Sequence, residues 1–176
     1  MTSKRTIFSS MLRWLSAGLW VWLMLALFCF SPEEHPQLGE FLWDLVLFQG
    51  EPLEVALFQA MGILPLAFTW LLWSERGRPP AWPFLLGSFA LGGFILLPYL
   101  VLQPARVATR SRRSSQAGYL LLAASGALLV YGLFRGDWGA FQRDFASIKF
   151  IYVMSFDFAA LMMAFPFTWW SRRQVV

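Results

Sequence analysis

Asp157 is the residue of this chain whose chemistry most needs a reason. It lies near the middle of a long apolar stretch, Ile148–Trp170. At 1.5 Å per helical residue it sits roughly 13 Å along from Ile148. A charged carboxylate at that depth of a bilayer costs about 2.5–3.5 kcal/mol on insertion scales. Helical spacing places Met154, Ala160, Leu161 and Ala164 on its face. Two alanines make that face narrow, which suits contact with another helix better than contact with lipid. No Lys or Arg lies at similar depth in any apolar stretch. The carboxyl is therefore expected to be neutral, or hydrogen-bonded to Gln59, Tyr99 or a Ser or Thr of a neighbouring helix. Three roles fit such a group. It can be an interhelical hydrogen bond, worth about 0.6–2 kcal/mol. It can carry a proton or orient a ligand. It can also contact a partner subunit.

Other chemistry is sparse. One cysteine, Cys29, excludes an intrachain disulfide, and one histidine, His35, excludes paired histidine ligands within the chain. His35 beside Glu33 and Glu34 matches no metal-site spacing, so no metal and no cofactor is expected. Nucleotide-binding loops, zincin motifs and nucleophile elbows are missing from the sequence. Gly92-Gly93 sits inside an apolar stretch and does not form a phosphate loop. The reading leans away from an enzyme.

The elements that must position Asp157 follow from the solvent. Hydrophobic residues make up 58% of the chain and charged residues 14%, with mean hydropathy +0.56. A soluble domain carries roughly 25% charged residues. Five apolar stretches are each long enough to cross a bilayer: 12–30, 53–73, 83–103, 117–134 and 148–170. Backbone in lipid has no water to bond, so each must be helical. The expectation is an all-α polytopic bundle forming a single integral membrane domain over 1–176, with five hydrophobic helices. Two short interfacial helices join them. Phe41–Phe48 carries Glu40, Asp44 and Glu51 on one side, and 138–148 has apolar residues at helical spacing. The acidic trio forms a candidate docking surface for a partner. The first apolar run is too long for a signal peptide and lacks a small-x-small cleavage site, which predicts a retained anchor.

Pro65, Pro98 and Pro166 interrupt three of the stretches. Each removes a helix hydrogen bond, and a neighbouring helix can satisfy the freed carbonyl. The pairs Ser88-x-x-x-Gly92 and Ala123-x-x-x-Ala127 allow close helix packing.

Charge bears on orientation. With five crossings and a cytoplasmic N-terminus, Lys and Arg divide eight inside against six outside, a poor bias. If 83–103 dips in and returns, the division becomes eleven against three. Its glycines and Pro98 suit a broken or re-entrant element. Its length suits a full crossing, and length makes five crossings the leading arrangement. The arginines beside the spans read as orientation signals meeting anionic lipid, with no nucleic-acid partner.

Three segments carry a resemblance: Leu57–Leu66, then Pro80–Phe84 through Leu96–Tyr99, and Phe150–Phe158. They resemble an uncharacterised family of small polytopic membrane proteins of cyanobacteria and plastids. The resemblance implies a setting, a thylakoid or plasma membrane, and no reaction. The leading expectation is an accessory or assembly protein of a larger membrane complex, with the bilayer, membrane-protein partners or further copies of itself around it. One alternative is a binder or enzyme for a carotenoid, quinone or isoprenoid with Asp157 as its polar handle. The other is a proton-coupled transporter.

Overall fold

In the computed structural model, residues 2–32, 38–72, 79–102 and 114–173 are described, and these are all-helical without strands. Trp73, Gln103, the Glu33–His35 group and the arginines at 76, 78, 106, 110, 112 and 113 lie outside them. The helices are α1 (Thr2–Leu25), α2 (Leu38–Val46), α3 (Pro52–Leu72), α4 (Trp82–Leu91), α5 (Gly93–Leu102), α6 (Ser114–Arg135), α7 (Trp138–Ser147) and α8 (Lys149–Arg173). A π-helical turn, Ala26–Phe30, extends α1, and Ser31 Oγ closes it by donating to the Leu27 carbonyl. Among the described residues, four segments are long and apolar enough to cross a membrane: Ser10–Phe30, Pro52–Leu72, Ala117–Arg135 and Lys149–Trp170. The expected all-α membrane architecture is what the chain adopts, and both short surface helices form as α2 and α7.

The third apolar stretch does not run straight through. The rings of Phe84 and Tyr99 lie 4.9 Å apart. On one continuous helix their backbones would be separated by about 22 Å. A Cβ built on Gly87 would stand 3.9 Å from the Cβ of Ile95. α4 and α5 are therefore antiparallel arms of a helical hairpin, folded at Gly92, whose φ is +52°. That left-handed φ, with ψ at −131°, suits glycine and little else. Each arm has 10 residues. At 1.5 Å per residue an arm is about 15 Å long, half the hydrocarbon core. Length misled the five-crossing arrangement, because two half-length arms contain as many apolar residues as one full span. The hairpin enters and leaves on one side of the bundle, the returning path weighed in the sequence.

α5 is the inner arm. Its Gly93, Leu96, Leu97, Tyr99 and Leu100 are buried, whereas α4 turns Trp82, Leu86, Phe89 and Leu91 outward. Pro98 has no N–H for the carbonyl four residues back, Phe94. The indole Nε1 of Trp20, on α1, donates to that carbonyl at 3.1 Å. A neighbouring helix thus supplies the bond that proline removed.

α3 and α6 lie antiparallel along their length. Leu53 meets Gly132 near one end, and Trp70 approaches Gly118 at the other. The buried residues of α6 at this seam are Gly118, Ser125 and Gly132, seven apart. A Cβ on Gly132 would stand 2.7 Å from the Cβ of Ala56, so the backbones approach as closely as glycine permits. Ala123 and Ala127, the pair expected to serve packing, are exposed on the opposite face.

Two outcomes test this arrangement. After Cys29→Ser, single cysteines at Pro80 and Ser114 should react with an impermeant maleimide from the same side, and a cysteine at Trp138 from the other. Labelling of Pro80→Cys and Ser114→Cys from opposite sides would sink the hairpin. Separately, Trp20→Phe should cost about 0.6–1.5 kcal/mol in thermal unfolding in detergent. In a Pro98→Ala background, where residue 98 regains its N–H, that cost should fall by more than half.

Candidate functional site

The hairpin tip meets Asp157. α8 brings Asp157 to about 12 Å from its first residue at 1.5 Å per residue, and the residue is 3% exposed. The narrow face read from sequence is used as expected, since Ala160, Leu161 and Ala164 are fully buried. Asp157 Oδ1 accepts a hydrogen bond from the Gly93 N–H at 2.8 Å. Gly93 opens α5, so the carboxyl caps the first turn of a half-helix inside the membrane. The first N–H groups of a helix have no intrahelical partner and carry partial positive charge. An acceptor oxygen there satisfies both conditions in either protonation state.

Two glycines make the socket. A Cβ on Gly92 would overlap Asp157 Oδ2 and stand 3.1 Å from Met61 Cε. A Cβ on Gly93 would overlap Oδ1 and stand 3.4 Å from Leu161. Gly92 N–H in turn donates to the Ser88 carbonyl at 2.8 Å, ending α4. The turn thus rests on α8 through Asp157 and on α3 through Met61.

The side chains named from sequence are placed differently. Gln59 Nε2 donates to the Leu45 carbonyl at 3.3 Å and ties α3 to α2. Tyr99 lies in the inner arm with its ring against Phe84. Ser88 Oγ donates to the Leu85 carbonyl. The donor to Asp157 is a backbone N–H, which side-chain inventory does not reveal. The available signal was Gly92-Gly93 itself, two adjacent glycines where the chain can turn and present an N–H.

The opposite end of the bundle is acidic. Glu40 and Asp44 are exposed on α2. Glu51 is spent on backbone. Its Oε2 accepts from the N–H of Leu53 at 2.7 Å and of Glu54 at 3.3 Å, capping α3 behind Pro52. Its Oε1 accepts from the Asp137 N–H at 2.6 Å. Asp137 Oδ1 caps α7 by accepting from Gly139 and Ala140. The bonds from Ala140 and Gly139 hold the Asp137 carboxyl below its usual range. No three His, Cys, Asp or Glu residues among those described converge to hold a metal ion.

No family model matches the chain, and no curated protein or solved structure matches it either.

The socket makes a graded prediction for thermal unfolding in detergent. Asp157→Asn keeps an acceptor for Gly93 and should cost less than about 1 kcal/mol. Asp157→Ala orphans that N–H and should cost about 1–3 kcal/mol, with a further loss from the cavity. Gly92→Ala adds backbone strain of about 1–3 kcal/mol to the overlap with the carboxyl and should be at least as damaging. Equal damage from Asn and Ala at position 157 would mean that charge, and not the cap, is what the site needs.

Proposed function

We propose that this chain is an accessory or assembly component of a larger membrane complex, and that α6 is the helix through which it docks. The observation that carries this reading is the two-sidedness of α6. Its glycine-lined seam is filled by α3. Its other face presents Ala123, Ala124 and Ala127, with Leu120, Tyr131 and Phe134 around them, all exposed. Between transmembrane helices there is no hydrophobic driving force, and association relies on close van der Waals contact. Small residues bordered by bulky ones make a shallow groove for a partner helix. Asp157 then serves the chain's own architecture, and Glu40 and Asp44 on α2 offer a charged rim on the same molecule. The membrane in this proposal is a thylakoid or plasma membrane, the setting that the resemblance implies.

Purification of the tagged chain in mild detergent from its native membrane tests the reading. The expected outcome is a particle well above the chain's 20.2 kDa plus micelle, with the same membrane proteins in each preparation. Ala124→Trp and Ala127→Trp should release those proteins while leaving the unfolding temperature unchanged. A solitary particle, or one carrying a stoichiometric carotenoid, quinone or isoprenoid, would overturn the proposal in favour of a lipophile-binding protein.

A further inference from the structure

α2 has three sides where an interfacial helix needs two. The first, Leu45 with the half-buried Phe41 and Leu42, packs into the bundle. At 3.6 residues per turn, Val46, Trp43 and Leu47 share a second side roughly 100° wide, and Glu40 and Asp44 form a third beside it. The second side is exposed throughout and continues into Phe48, which is 66% exposed. Among the described residues, Phe48 is the one non-glycine with positive φ, at +60°. Its N–H donates to the Leu45 carbonyl at 3.4 Å, and the Gln49 N–H donates to the Asp44 carbonyl at 2.9 Å. That is the pattern of a helix end at which glycine ordinarily stands. A bulky L side chain is strained there. This one is turned out of the fold, so packing within the chain does not account for it.

The depth of this side follows from its contacts. A Cβ built on Gly50 would stand 3.2 Å from Leu45 and 3.3 Å from Val55, and Gln59 reaches the Leu45 carbonyl at 3.3 Å. Val55 and Gln59 lie about 5 Å and about 10 Å along α3 from Pro52 at 1.5 Å per residue. The end of α2 is thus held beside the first two turns of a membrane-crossing helix. That is the depth at which interfacial helices rest, in the boundary between headgroups and acyl chains. Trp43, Val46, Leu47 and Phe48 make a ridge without a small residue, which suits acyl chains better than a close-packed partner helix. The charged residues of α2 are Glu40 and Asp44, with no Lys or Arg. Surface helices that favour anionic lipid carry the opposite charge.

We infer that α2 is a lipid-binding wedge: Trp43, Val46, Leu47 and Phe48 enter the leaflet beside α3, and Glu40 and Asp44 select headgroups without net charge over anionic ones. The inference is independent of the docking role proposed for α6.

Quenching by lipid in proteoliposomes of the full chain reads the wedge. In a Cys29→Ser background, nitrobenzoxadiazole is attached at Leu47→Cys or, on the acidic side, at Asp44→Cys. In phosphatidylcholine brominated near the headgroup end of its acyl chains, the label at position 47 should be quenched at least about twofold more than the label at 44. Replacing about a third of the lipid with phosphatidylglycerol at about 10 mM salt should roughly halve the quenching at 47, and about 1 M salt should restore it, because the Debye length falls from about 30 Å to about 3 Å. Glu40→Gln with Asp44→Asn should remove that dependence on lipid charge. Phe48→Gly suits the backbone at its φ, so the unfolding temperature in detergent should hold or rise while quenching at 47 falls about twofold. Equal quenching at 44 and 47 would overturn the proposal, since no wedge would then exist. So would absence of quenching at 47, because water, a second copy or another protein would then cover this side. Quenching at 47 that is the same in both lipids at low salt would overturn it as well.

Discussion

A backbone that turns inside a membrane must find hydrogen-bond partners without water, and this constraint organises the whole chain. The hairpin of α4 and α5 opens a helix terminus at mid-depth, where an unsatisfied amide costs several kcal/mol. Asp157 meets that need through Gly93, and everything around it serves the contact. Gly92 and Gly93 leave room for the carboxyl, Ala160 and Ala164 let α8 come close, and Met61 closes the remaining side. Trp20 performs the corresponding service farther along the same arm, at the carbonyl that Pro98 leaves open. The inner arm is thus fixed by α1 at one point and by α8 at another. A hairpin so held behaves as a packed element of the core and not as a mobile loop.

Much of this was legible in the sequence, and the limits have physical reasons. The apolar stretches identified the solvent, and the solvent required helices. Asp157 stood out because an acid at that depth needs a partner, and the narrow alanine face correctly marked the side that is buried. Its partner was not legible, because a backbone N–H becomes available only where a helix begins, and the beginning of α5 lies inside what reads as one apolar run. Residue count alone cannot separate a 21-residue crossing from two short arms. The distribution of Lys and Arg could, and it favoured the returning path that the structure adopts. The alanine pair at 123 and 127 illustrates a different limit. Periodicity shows that small residues share a face, but two faces of α6 carry them, and only the tertiary arrangement shows which one α3 occupies.

The two ends of the bundle are electrostatically unlike. The hairpin enters at one end of the bundle. The opposite end holds Glu40, Asp44, Glu51, Glu54, Asp137 and Asp144. Positive charge beside the spans fixes orientation. The acids do a different job, because two of them act as caps. Glu51 joins the first turn of α3 to the chain entering α7, and Asp137 starts α7 itself. Negative charge at helix N-termini is favourable, and both α3 and α7 begin at this end.

That arrangement also explains why one acid is left in a difficult position. A helix start can accept only as many carboxylates as it has open N–H groups facing them. Glu51 and Asp137 take the accessible ones. Glu54 lies in the first turn of α3 and is buried there, where Gly132 of α6 and the following Gly136 come directly against Leu53. The same close approach that gives α3 and α6 their glycine seam therefore deprives Glu54 of water and leaves its Oε1 without a hydrogen-bond donor. Tight helix packing thus takes an acid that water would solvate at a helix start and seals it where only protein groups can meet its oxygens.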